Sequence, residues 1–567
     1  MYKKHIEADF IEEAAKELVR KRLTKPQEII KLRNQLARKL KPKSLPSIIQ
    51  ILLRVNPNYL KRIKSIFIKP VRTLSGVTII AIMAKPIACK HGTCIFCPGG
   101  PGSIFGDTPQ SYTGKEPATM RAIRNDFDSY LQVFNRLEQY IISGHQVDKV
   151  DLIFMSGTFT SFPLNYQEEF THGAFKAMND FSDLFYDKNG NLDLKKFRDF
   201  FELPGDVNDE TRIKKIREKV LKLKAKKIDL EKEQKRNEKS RIRCIGLTIE
   251  TKPDYARLKH GNEMLKLGCT RVEVGVQSVY DDVLKTTNRG HTLQDTINSV
   301  RELKDLGFKI NAHYMLGLPG TTKEMDLNGI NTLFTNPDFR PDMLKIYPCL
   351  VLKGTPIYEL WKRELYTPLT TEEAAEIISE FKRNIPYYVR IMRIQRDIPT
   401  YMTKAGVDRT NLRQYVHDLL RKKGLKCKCI RCREIGRSKK LGKIKLFVEE
   451  YDASKGKEFF ISLEDEERIL VGFCRLRFPS QFLRPEITKT SALIRELHVY
   501  GTATAIGEEG SIQHQGYGKR LMITAEDICK KNGRDKLVVI SGIGVREYYS
   551  KKLGYKLEGP YMVKPLK

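Results

Sequence analysis

Two short cysteine clusters are the residues of this chain most suited to chemistry. Cys89, Cys94 and Cys97 stand in CKHGTCIFC, a C-x4-C-x2-C spacing. Three thiolates from one loop can hold three irons of a cubane cluster and leave the fourth iron open to chelate a substrate. A zinc loop is the alternative, and it needs a fourth ligand, with His91 the nearest candidate. The second cluster, CKCIRC, supplies Cys427, Cys429 and Cys432. A fourth soft ligand would complete a closed tetrahedral zinc site of structural type. Cys349 in IYPCLVL is the preferred candidate, because it would staple this segment to a strand, and His417 in YVHDLL is the other. A second iron–sulfur cluster is the alternative there. Tight clusters of this kind point to metals rather than disulfides in a reducing compartment.

A third motif is QHQGYG at 513–518, which precedes the amphipathic stretch KRLMITAEDICKK. A glycine-rich turn that opens a helix points backbone N–H groups at a phosphate. Gly516 and Gly518 keep side chains clear of it, and Gln513 begins the motif.

Several elements must position these groups. Apolar, β-branched runs at 76–83, 149–156, 243–250, 271–278, 309–316 and 343–348 alternate with amphipathic stretches such as LQDTINSVRELKDLG. That rhythm predicts βα units and a partial TIM-like (βα)6 barrel with chemistry at the C-terminal strand ends. A charged helical stretch at 187–241 interrupts it and reads as a solvent-exposed insertion. The segment 351–440 reads as a linker carrying the second cysteine cluster, and 441–567 as an α+β domain of short strands and a helix. The expected class is therefore a multidomain α/β and α+β chain.

Charge points to the partner. The 567 residues carry a formal net charge of +33, which favours a polyanion, most commonly nucleic acid. Residues 1–70 hold 18 Lys and Arg against 6 Asp and Glu, and read as basic helices that contact RNA. No apolar run approaches the length of a membrane span. The charged N-terminus lacks the apolar core of a signal peptide, so a cytoplasmic protein with no membrane association is expected.

The cysteine loop with CPGG after it, and the strand-end motifs, resemble the radical S-adenosylmethionine (SAM) superfamily. The four-residue first spacing, where that superfamily usually has three, resembles the family of Elongator's catalytic subunit, of archaeal type. QHQGYG fits the Q/R-x-x-G-x-G/A signature of GCN5-related acetyltransferases, and RELHVYG, YYSKKLGY and GPYMVK also resemble the acetyltransferase half of the Elongator family. The resemblance implies a [4Fe-4S] cluster on Cys89, Cys94 and Cys97. It implies SAM contacts from Ser156, Gly157 and Thr158 and from Gln277 and Ser278, while Lys149 is implied as a catalytic contact for acetyl-CoA from the radical SAM side. Acetyl-CoA would meet Glu496, Leu497, His498 and Val499, then Tyr517, Gly518 and Lys519, and finally Tyr549. Tyr549, favoured over Tyr548, would protonate the leaving thiolate.

The activity implied is formation of 5-carboxymethyluridine at the wobble position of tRNA, in which a SAM-derived radical takes hydrogen from the acetyl methyl group and the carbon radical adds to uridine. The anticodon stem-loop is the expected partner, with a homodimer or an Elongator-like assembly as the expected quaternary state. Two other functions fit parts of the chain. One is a protein lysine acetyltransferase with a merely structural iron–sulfur cluster, which the strong basicity opposes. The other is a non-catalytic tRNA-binding scaffold, which the complete cysteine motif opposes.

Overall fold

The computed structural model describes residues 2–42, 45–46, 48–56, 59, 76–143, 145, 147–203, 205, 209–225, 229–437, 441–501 and 516–566. They divide into two compact units, one built from Met1–Thr78, Tyr130–Val150 and His172–Arg243, the other from Ile79–Ser129, Asp151–Thr171 and Cys244–Lys567.

The first unit is helical. Helices Tyr2–Arg20, Pro26–Leu40 and Ile48–Leu52 each bury one apolar stripe, and Phe10, Ala14, Leu18, Ile29, Leu32, Ile51 and Val55 form their shared core. The 187–241 stretch is more anchored than its charge implies. Phe197 and Phe201 are buried among Phe134, Phe181 and Phe185. Asn179 donates to the buried Glu233 carboxylate at 2.7 Å. The charges thus cover the outside of helices whose aromatic residues face inward.

The second unit contains the barrel. Strands β1 (Val77–Met83), β2 (Lys149–Met155), β3 (Arg243–Thr251), β4 (Arg271–Gln277), β5 (Lys309–Leu316) and β6 (Met343–Pro348) lie in chain order in one sheet. Each falls on a run expected from the sequence. After a short β7 (Val351–Leu352), the sheet gains a seventh member, β8 (Arg390–Ile394), parallel to β6. It comes from the segment read as linker, because RIMRI is too short and too basic to stand out as a buried strand. β4 and β6 are buried at every position, yet their sequences, RVEVGVQ and MLKIYP, carry charges. A barrel interior is normally layered with branched apolar side chains. Here it is partly polar.

β9 (Thr403–Ala405) pairs with β7. Strands β10 (Lys445–Ala453), β11 (Gly456–Glu464), β12 (Leu470–Phe478), β13 (Ser491–Val499), β14 (Lys536–Val539), β15 (Lys556–Glu558) and β16 (Tyr561–Pro565) form a second sheet in the order β10-β11-β12-β13-β14-β16-β15. β13 runs parallel to β14 only from Ser491 to Ile494. Beyond that point the two strands part, leaving the Arg495–Val499 backbone without a ladder partner on that side among the described residues. Helix Tyr517–Lys531 packs on β11, β12 and β13 through Leu521, Met522, Ala525 and Cys529.

The α+β domain seats on the N-terminal strand ends of the barrel through a buried ionic lattice. Arg495 holds Asp342 at 2.5 Å and Glu458 at 2.8 Å. Arg477 holds Asp305 at 2.6 Å and Glu458 at 3.0 Å, and Lys304 reaches Glu458 at 3.3 Å. All six side chains are fully buried. Such a lattice adds little over apolar packing, but removing one member strands its partners at a cost of about 3–5 kcal/mol. Among the described residues, no helix is long and apolar enough to cross a membrane.

Candidate cofactor centres

The cysteine loop follows β1 and lies at the C-terminal end of the barrel. Ile95 N–H donates to Thr287 O at 3.2 Å, and Asn288 Nδ2 to Thr93 O at 2.9 Å, which ties the loop to the segment after β4. Arg289 Nη1 donates to Cys94 Sγ at 3.4 Å and Nη2 to Gly275 O at 2.8 Å. His91 Nε2 lies 3.3 Å from the same sulfur. The Cys97 thiol, then the Arg289 charge, hold Cys94 well below the usual thiol range against the opposing effect of burial. Cys97 and Cys89 are pushed up, Cys97 by its hydrogen bond to Cys94 and Cys89 by burial. This donor set suits iron rather than one zinc ion. Among the described residues, groups whose ligand atoms all lie within 4.8 Å of one another include Cys427, Cys429 and Cys432 but not this trio. A cubane spreads its thiolates further apart than a single ion does.

The SAM candidates gather at the same end. Ser156 Oγ accepts from Ala84 N–H at 3.2 Å, Gly157 turns with φ +74°, and Thr158 Oγ1 lies 3.9 Å from Cys89 Sγ. Gln277 closes β4 at φ +70°, with its Oε1 buried and unpartnered. Ser278 Oγ accepts from Tyr280 N–H at 3.2 Å. Lys149 opens β2 and is therefore about 20 Å down the strand from Ser156.

In the α+β domain, Gly516 adopts φ +77° and opens the helix on Tyr517, Gly518 and Lys519, whose N–H groups precede the first intrahelical bonds. Gln513 lies outside the described residues. A side chain at Gly518 would come within 2.9 Å of Tyr548 Oη and 3.9 Å of Val499. The helix start, the end of β13 and Tyr548 therefore meet. Tyr549 points the other way, buried against Tyr548 and Tyr555, and burial raises its phenol far above the ordinary range. Neighbouring residues on a helix face directions about 100° apart, so of the pair it is Tyr548 whose hydroxyl reaches the glycine turn. Glu496 is held by Arg475 at 2.9 Å. His498 stacks on Phe473 and Tyr500, and burial lowers its pKa to about 4. Leu497 sits opposite Cys474 on β12.

The second trio is compact, and Lys382 Nζ stands 3.8 Å from Cys432 Sγ. Cys349 does not join it. The top of β6 turns Cys349 into the apolar cluster of Met315, Leu318, Val351 and Tyr366, together with Cys94 and Cys97. His417 is not in the group either, so among the described residues the trio has no fourth Cys, His, Asp or Glu at ligand distance.

One constellation is absent from the sequence reading. Inside the barrel, Glu250 of β3, Glu273 of β4, His313 of β5 and Lys345 of β6 form one polar group. His313 Nε2 lies 2.9 Å from Glu273 Oε2, and Asn311 Nδ2 donates to Glu273 Oε1 at 3.1 Å. Lys345 Nζ pairs with Glu273 and lies 3.7 Å from Glu250. Tyr112 Oη donates to Glu250 at 3.0 Å. Burial lifts the Glu250 carboxyl to about 7. The signal was polar residues at every second position of strands otherwise buried on both faces.

Comparison with known proteins identifies three regions. Residues 87–327 match the radical SAM superfamily, 341–422 the radical SAM C-terminal domain, and 432–555 the acetyltransferase (GNAT) family. The tRNA uridine(34) acetyltransferase of Methanocaldococcus infernus is 47% identical over 510 residues, 88% of this chain and 87% of that protein. Elongator complex protein 3 of Danio rerio is 39% identical over 92% of this chain and 90% of its own. The solved structure of archaeal Methanocaldococcus infernus Elp3 with an N-terminus deletion (1-46) superposes with a TM-score of 0.70 at 41% identity, covering 87% of this chain and all of that one.

Proposed function

Because the chain belongs to the family of tRNA uridine(34) acetyltransferase and Elongator complex protein 3, we propose that it forms 5-carboxymethyluridine at the wobble position of tRNA from acetyl-CoA. The observation that carries this reading is the union of two centres in one compact unit: a cysteine loop at one end of the barrel, and a glycine-opened helix in the domain seated on the other end. A plain lysine acetyltransferase has no use for the first.

Cys89, Cys94 and Cys97 would hold the iron–sulfur cluster which, with SAM bound, supplies a carbon-centred radical. The chain's own part is binding and orientation. The Ser156–Thr158 turn, beside Cys89, and Gln277 Oε1 would contact SAM. The N–H groups of Tyr517, Gly518 and Lys519 would take the coenzyme A pyrophosphate, and the parted backbone of Glu496–Val499 its amide arm. Tyr548 Oη, beside Gly518, would give a proton to a leaving thiolate. Cys427, Cys429 and Cys432 are zinc ligands in this reading, and fix the segment joining barrel to acetyl domain. The +33 charge draws the anticodon stem-loop. The relatives' name supports assembly with other chains, which light scattering of the purified protein with and without tRNA tests.

The deciding experiment uses anaerobically reconstituted protein with dithionite, SAM, acetyl-CoA and bulk tRNA. Mass spectrometry is expected to find 5′-deoxyadenosine and carboxymethylated uridine, both requiring tRNA and acetyl-CoA. Acetyl-CoA consumed with no 5′-deoxyadenosine would leave an ordinary acetyltransferase.

A further inference from the structure

The polar group inside the barrel has no part in binding either cofactor as assigned above, and its arrangement is that of a hydrolytic site. A base has its ring held by a sealed carboxylate, with an ammonium beside it. Glu273 is the sealed member, with its side chain 1% exposed, whereas His313 and Lys345 keep 12% and 11%. With Nε2–H turned to the carboxylate, Nδ1 is the nitrogen left to accept a proton. Burial keeps the ring uncharged by lowering its pKa to about 4, so the free base is present at neutral pH.

The position also fits. Residues 309, 311, 313 and 315 share one face of β5. Lys309, at the lower end, lies within electrostatic reach of Glu496 in the acetyl domain. Met315, at the upper end, packs in the apolar cluster with Cys94 and Cys97. His313 therefore stands about 13 Å along the strand from the first and about 7 Å from the second. A group shared between the two centres would pass this level.

A divalent cation is the other reading of Glu250, Glu273 and His313, whose ligand atoms lie within 4.8 Å of one another. The Lys345 ammonium, which pairs with both carboxylates, already occupies that role.

We propose that His313, oriented by Glu273 and assisted by Lys345, hydrolyses the coenzyme A thioester that joins the acetyl unit to uridine. The proposal rests on the function given above. Water supplies the new C–O bond and gives one proton to His313 Nδ1. Lys345 faces the carbonyl oxygen as it gains negative charge. The C–S bond breaks, the proton on His313 passes to the coenzyme A thiolate, and the new carboxylic acid releases its own proton to solvent. Uridine-linked carboxylate and free coenzyme A result, with no change of oxidation state.

The test is His313→Gln, which keeps a hydrogen-bond donor toward Glu273, in the full-length reconstituted enzyme with SAM, acetyl-CoA and tRNA. Coenzyme A release is expected to fall by about 10²–10³-fold. SAM cleavage should proceed for one turnover, and intact-mass analysis should show tRNA carrying the coenzyme A thioester. Lys345→Met should accumulate the same adduct, and Lys345→Arg should restore part of the release. Carboxymethyluridine made at the wild-type rate by His313→Gln would overturn the proposal. So would joint loss of SAM cleavage and coenzyme A release in a folded variant, which would make the group structural. Wild-type enzyme that yields neither 5′-deoxyadenosine nor modified uridine would instead refute the underlying function.

Discussion

The two ends of the barrel follow opposite rules. At the lower end, six charged side chains without solvent exposure hold the acetyl domain, and every one of them has an opposite charge within 3.3 Å. At the upper end, charge is present but incompletely matched. A guanidinium leans on a thiol, and Gln277 leaves its Oε1 without a partner among the described residues. Buried polar groups are normally satisfied, and those that are not call for a reason. The lower end is built for fixed geometry. The upper end keeps hydrogen-bonding capacity in reserve for a ligand, at some cost in stability. Substitutions should therefore separate the two: activity lost with the fold intact above, stability lost below.

The sharpest separation is Cys94→Ala. It removes the thiolate that Arg289 and His91 attend, and 5′-deoxyadenosine formation should fall at least about 10³-fold while the thermal midpoint of the cluster-free protein moves little. A large drop in that midpoint would show that the upper end is also structural. Arg495→Met is the counterpart below. It takes from Asp342 its close ion pair and from Glu458 one of three cations, Arg477 and Lys304 remaining, and should cost about 3–5 kcal/mol, read as a lower denaturation midpoint with acetyl-CoA affinity falling alongside. Unchanged stability would mean that the lattice relaxes or admits water, and the contrast between the ends would fail.

The sequence exposed the upper end better than the lower. Six strands were legible because parallel strands buried on both faces read as apolar runs, and the cysteines because thiol spacing is fixed by the loop that carries them. The lattice was not legible: Lys304, Asp305, Asp342, Glu458, Arg477 and Arg495 are scattered over nearly 200 residues, and only the docked domains bring them together. Cys349 lies apart from the second cysteine trio for a similar reason. Sequence proximity of a strand to a linker says nothing about which way the strand's last side chain turns. The seventh strand was hidden by its arginines, and the Glu273 group by the habit of reading a buried strand for its apolar positions alone.

A milder substitution refines the upper end. In Gln277→Leu the unpartnered Oε1 disappears, and removing a buried unsatisfied acceptor is worth about 1–3 kcal/mol, which offsets what the new side chain loses in packing. The midpoint without ligand should hold within about 2 °C, while SAM binds roughly tenfold more weakly, measurable by calorimetry. Equal SAM affinity would leave the orphaned oxygen without a function.

The smallest effect concerns pH, and it tests the lower end from within. His498 stacks on Phe473 and Tyr500, and burial, with the Arg390 and Lys309 charges, lowers its pKa to about 4 against the pull of Glu496 and Glu434. The unfolded chain takes up this proton near pH 6.5 and the folded one only near 4. Over that interval the unfolded state binds more protons, so stability falls as pH drops from about 6.5 to about 4 and is insensitive to this group above that range. His313 acts in the same direction. Glu250 acts in the opposite one: its folded pKa is raised to about 7, so its contribution fades as pH rises from about 4.5 to 7. His498→Phe keeps the aromatic stack and removes one proton-binding site. The variant should lose less stability than wild type between pH 6.5 and 4, with the two curves parallel above 7. Curves that stay parallel down to pH 4 would mean that the lower end admits enough water to charge His498 in place, and that the fixed geometry assigned to the junction ends short of β13.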